Sequence, residues 1–173
     1  MNKNVLKFGL LALCSTGLIA KAQTMTDPQI TQLMKTANEA EIDMAKVAKS
    51  KTDNKQVKDF AKMMIDDHEK NEKDDKKVAK EIKVKPEETD TSKSMKKDSE
   101  QKISDLKKLK GKDFDKAYID EQVTMHQALL DDLNQKLIPA AQSPDLKNYL
   151  ETTKTHVEEH LSKAKEIQTS LTK

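Results

Sequence analysis

The chain has 173 residues, of which 36% are charged and only 3% aromatic; every cation is a lysine. The formal net charge is +2, a balance that argues against nucleic acid as a main partner, which needs a strong basic excess. High charge with few aromatics also occurs in disordered chains, but here the apolar residues are periodic, which points to amphipathic helices.

The first 22 residues stand apart. Lys3 and Lys7 make a basic start, Phe8 to Ala20 is mostly apolar, and Ala20-Lys21-Ala22 resembles a cleavage signal. This predicts a secretory signal peptide over 1–22 and an exported domain over 23–173, in the periplasm or cell envelope, with outer-membrane association as one option. The apolar run is too short for a membrane-spanning helix, and no such helix is expected in the mature chain. Cys14, the only cysteine, follows Leu13 rather than a small residue, which argues against a lipid anchor. Without the leader's three lysines the mature chain carries about −1. It also lacks cysteine, so disulfides do not hold it together.

Asp27-Pro28 reads as a cap followed by the first helical position. Ile30, Leu33, Met34, Ala37, Ala40, Met44, Val47 and Ala48 then recur in steps dominated by three and four, giving a helix that ends near Lys51. Asp53, with Gln56 three residues on, is the expected cap of a second helix. Its stripe runs Val57, Phe60, Ala61, Met64, then turns polar at His68 and Asn71 before Val78, Ala79 and Ile82. A loop is expected around Pro86. Thr91 to Lys110 has a weaker stripe, closed by Gly111, and reads as a shorter crossover helix.

Asp113 is the expected cap of the third long helix, whose stripe is Ile119, Val123, His126, Leu130, Leu133 and Leu137, ended by Pro139. Ser143-Pro144 opens the last, with Leu146, Tyr149, Leu150, Val157, His160, Leu161, Ala164, Ile167 and Leu171. No alternating strand pattern competes. The fold class predicted is all-α: a ferritin-like four-helix bundle with a shorter crossover helix between the second and third long helices.

Each long helix has one polar residue on its apolar stripe near its midpoint: Glu41, His68, His126 and His160. In an antiparallel or mixed bundle, midpoints share a level, so the four can converge. Three imidazoles and a carboxylate suit one divalent transition metal: zinc, iron or copper. Asp67, Glu121 and Glu159 are candidate partners for the outer ring nitrogens. The competing reading is a buried polar network that only sets helix register, in a non-enzymatic structural or interaction module.

His156-Val157-Glu158-Glu159-His160 matches an inverted zinc-peptidase motif, but strands and a substrate cleft are not evident in the sequence. Met34, Met44, Met63, Met64 and Met125 gather near the same level, where methionine is usually core filler rather than a copper(I) ligand set. No serine triad and no phosphate-binding glycine loop is visible. No substrate follows from these residues, and whether the chain is an enzyme stays open.

The residues also carry a resemblance. Ala40-Glu41-Ile42, Val57-Lys58-Asp59-Phe60-Ala61, Met64-Ile65-Asp66-Asp67-His68, Leu109, Gly111, Phe114-Asp115, Tyr118, His126, His160-Leu161 and Ala164, in that order, resemble exported bacterial proteins of the domain of unknown function 4142 family. The resemblance spans roughly 27–170 and implies a ferritin-like fold and an envelope location, with no assigned activity. The chain departs from di-iron ferritins, which place Glu-x-x-His on two helices. Ile65, Val123 and Val157 occupy the positions three before His68, His126 and His160.

Overall fold

The computed structural model describes residues 24–172. The signal peptide expected over 1–22, with Cys14, lies outside them. The described chain is all-helical, with no strand. The elements are α1 (Asp27–Lys51), α2 (Lys55–Glu81), α3 (Asp90–Lys108), α4 (Gly111–Asp132), a π-helical turn (Leu133–Leu137), the short α5 (Ile138–Ala140) and α6 (Pro144–Leu171).

α1 begins one residue earlier than its proline suggests: Thr26 is the cap, and its N–H donates to Gln29 Oε1 at 3.2 Å. Asp27 instead reaches across the molecule. Its two carboxylate oxygens accept from the backbone N–H groups of Gln142 (2.8 Å) and Ser143 (3.0 Å), tying the start of α1 to the start of α6. Asn54, not Asp53, caps α2, accepting from the N–H of Gln56 and Val57. Gly111 opens α4 rather than closing α3. It sits at φ +53°, where a side chain would be strained, and only Leu109 and Lys110 separate α3 from α4.

Pro139 does not end the third long rod at once. It lacks the N–H that would continue the ladder, and the turn before it widens so that Ile138 N–H bonds Leu133 carbonyl. The rod stops at Ala140.

Two hairpins, α1–α2 and α4–α6, pack antiparallel. Ser170 near the end of α6 donates to Gln56 at the start of α2, so those two also run antiparallel. Ile30 at the start of α1 shares a cluster with Leu133 and Leu137 at the far end of the third rod, which sets α4 against α1. The square is therefore α1, α2, α6, α4. α2 ends where α1 begins, and α4 starts at the other end. α3 makes that ascent along the outside of α1, its ion pair between Lys102 and Glu121 reaching α4.

The core is in two parts. One cluster holds Met44, Ala48, Val57, Phe60, Met64, Phe114, Tyr118, Ile119, Ala164 and Ile167. The other holds Ile30, Leu33, Met34, Leu133, Leu137, Leu146, Leu150 and Val157. Between them lies a layer of buried polar side chains: Asn38, Glu41, His68, Gln122, His126, Thr153 and His160. A buried polar group costs free energy unless it is paired, so this layer has to be accounted for atom by atom.

Candidate metal centre at the bundle midplane

His68, His126 and His160 come from α2, α4 and α6, each where an apolar stripe turns polar. Their rings meet with centroids 5.4 to 6.0 Å apart. One nitrogen from each ring can be chosen so that all three lie within 4.8 Å of one another.

Each ring spends one nitrogen on a fixed partner. His68 Nδ1 faces Asn38 Oδ1 at 2.9 Å, so it carries the hydrogen and donates. His126 Nδ1 donates to the backbone carbonyl of Gln122, one turn earlier, at 2.9 Å. His160 Nε2 donates to Asp67 Oδ2 at 3.0 Å. The other nitrogens, His68 Nε2, His126 Nε2 and His160 Nδ1, are buried and have no hydrogen-bond partner. With one nitrogen protonated and donating, the free one holds a lone pair, which is the form that ligates metal.

The supporting shell is ordered in turn. Asn71 Nδ2 donates to Asn38 Oδ1 (3.0 Å), and Thr153 Oγ1 donates to Asn71 Oδ1 (3.0 Å), so α1, α2 and α6 are joined through the amides that hold His68.

Glu41 stands beside the three rings. Its Oε2 accepts from Gln122 Nε2 at 2.8 Å, and its Oε1 is 3.8 Å from His126 Nδ1, the nitrogen already given to a carbonyl. Gln122 Nε2 also reaches Met44 Sδ at 3.7 Å. The carboxylate thus sits beside His126 and is not one of the three grouped ligand atoms.

Burial decides the charge state. It pushes Glu41 up to about 7, against the pull of the Gln122 hydrogen bond. It holds His126 down to about 4 and His68 well below its ordinary range, where the neighbouring rings add to the effect. His160 is also lowered by burial, with Asp67 opposing. Three neutral imidazoles result at neutral pH.

Of the residues expected from sequence, the structure brings His68, His126 and His160 together and sets Glu41 at their side. Asp67 is a ring partner. Glu121 is not: it pairs with Lys102. Glu159 is exposed, and His156 lies outside the cluster, so the peptidase-like spacing does not assemble. Met34, Met44 and Met64 are core residues. Sequence reasoning passed over Asn38 and Gln122. Both are buried polar residues on helices, but each lies beside its apolar stripe and not on it.

A long-rod helical bundle with a buried three-histidine cluster at its midplane is the class that fold and site define. Residues 15–167 match the domain of unknown function 4142, and the chain belongs to that family. Comparison with curated proteins and with solved structures gave no significant match. No helix of the described residues is long and apolar enough to cross a membrane.

Proposed function

We propose that this domain binds one divalent transition metal through His68 Nε2, His126 Nε2 and His160 Nδ1. The carrying observation is that one nitrogen from each of the three rings lies within 4.8 Å of the other two, while each ring has one buried nitrogen without a partner and the opposite one held by an oxygen. Metal-bound histidines almost always donate their other ring N–H in this way. A register-setting network has no need of three buried lone pairs without a donor, since each would cost desolvation with no return.

Three neutral nitrogens suit zinc, iron or copper, and leave a further coordination position. Glu41 acts from outside the three, positioning Gln122 and lending negative charge near His126. A bound cation favours its ionised form. The leader-like residues 1–22 support export, and metal storage, buffering or stress protection in the cell envelope is the role that fits. Gln122 with Glu41, and Asn38 with Asn71, also support the second reading, a polar layer that fixes how α1 meets its neighbours.

Elemental analysis of untagged protein separates the two. The expected result is about one metal per chain, lost in His68→Ala and His126→Ala. Asp67→Asn keeps the ligands but weakens the grip on His160, and affinity should fall roughly 10- to 100-fold. Wild-type protein that takes up no zinc, iron or copper on titration would leave the register role alone standing.

A further inference from the structure

A cleft of about 600 Å³ opens between α1, α3 and α4. It exists because α3 packs along α1 and touches α4 only sparsely, leaving a gap on the α4 side. Leu33, Ala37, Met95, Met125 and Leu129 form its walls. His68 and His126 line it too, with Glu41, and in both histidines the free nitrogen is Nε2. At the rim stand Asp90, Asp98, Asp132 and Lys102, the last engaged by Glu121.

We propose that this cleft is a binding pocket for a small organic molecule with an apolar body and one weakly acidic, metal-coordinating head, which completes the coordination of the metal. The inference rests on the metal reading above. The volume lies in the range of about 300–1,000 Å³ typical of small-molecule sites and far exceeds what a lone cation needs. Aliphatic and thioether walls take a hydrocarbon body. The rim has three carboxylates and no unpaired cation, so a phosphate ester or polycarboxylate meets repulsion and finds no partner. A head that is neutral in water and loses its proton only on the metal avoids that penalty. Such a molecule reaches the centre from the His68–His126 side, away from His160, which does not line the cleft.

The test uses the mature domain loaded with cobalt(II), whose visible bands report the ligand field, and octanohydroxamic acid as probe. Binding is followed by those bands and by calorimetry. The expected result is a saturable band shift at one probe per chain. Ala37→Phe fills the wall, and Ala128→Phe does so from an exposed position of α4 that folding tolerates. Both should keep one cobalt per chain and bind the probe at least about tenfold more weakly, a loss of roughly 1.4 kcal/mol. Cobalt held at one per chain with bands that do not move, or Ala128→Phe binding the probe as wild type does, would overturn the pocket alone. A chain that holds no cobalt would overturn the metal centre, and the pocket's coordinating role with it.

Discussion

The two apolar clusters and the polar layer between them are built from the same four rods, yet they obey different rules. In the clusters a side chain is useful for the area it removes from water, and many shapes would serve. In the layer a side chain is placed by particular partners. His126 needs the carbonyl of Gln122 one turn back, and His68 needs an amide that is itself held by Asn71. The clusters explain why the bundle folds. The layer leaves one buried imidazole nitrogen on each of three histidines unpartnered, which packing alone does not account for.

Truncation breaks that comparison most sharply. Phe114 is 1% exposed, stacks with Tyr118 and carries Lys51 over its ring. Phe114→Ala should cost about 3–5 kcal/mol in denaturant unfolding. By contrast, His126→Leu in metal-free protein should change stability by no more than about 1 kcal/mol, because the lost bond is offset by removing an unpartnered polar atom. If His126→Leu proves as damaging as Phe114→Ala without metal, the layer is structural after all.

Asp75, a buried carboxyl of α2 beside Glu72 and Lys35, sharpens the comparison. It is 1% exposed, on the α2 face that also carries His68, and burial pushes its carboxyl up to about 7. Glu72 adds to the rise, while Lys35 and Lys76 oppose it. In the unfolded chain its value is the ordinary 3.8. Between those values the folded state holds the extra proton, so folding is favoured at low pH and this contribution is lost as pH rises through about 7. Asp75→Asn has no such loss. The variant should match wild type near pH 4 and gain on it with rising pH, by up to about 4 kcal/mol above pH 7. Melting curves at pH 4, 6 and 8 read this directly. A gap that shrinks with rising pH would have the wrong sign.

The stripes of α1, α2, α4 and α6 are legible in the sequence because burial on one helix face leaves a three-four spacing that no partner helix can hide. For the same reason the three histidines stand out, as polar residues where an apolar one is due. Their level also follows, since antiparallel rods of similar length packed side by side align their midpoints. What the sequence leaves out is whatever depends on distance between rods. Asn38 and Gln122 lie beside the stripes, and Gln122 holds His126 through its backbone, which no side-chain pattern reveals. Asp75 is four residues from Asn71 on a stretch dense with charge, where burial leaves no mark. The cleft is invisible because it comes from how weakly α3 meets α4. Gly111, a stop signal by composition, opens a helix because the chain there turns within two residues.

The smallest effect tests how local the clusters' specification is. Asp53 and Asn54 both have the chemistry of a helix cap, and composition alone does not choose between them. The structure gives the role to Asn54, whose side-chain oxygen takes the N–H of Gln56 at 2.9 Å and of Val57 at 3.3 Å. Asn54→Ala should therefore cost about 1 kcal/mol, and Asn54→Gly only a few tenths. Asp53→Ala should stay within about 0.5 kcal/mol of wild type. None of the three should alter metal uptake, since the cap feeds Val57 and the first cluster, three turns from His68. Chemical denaturation ranks the variants. A larger loss at Asp53 than at Asn54 would return the cap to Asp53, shift the start of α2 by one residue, and with it the angle at which α2 presents His68 to the other two rings.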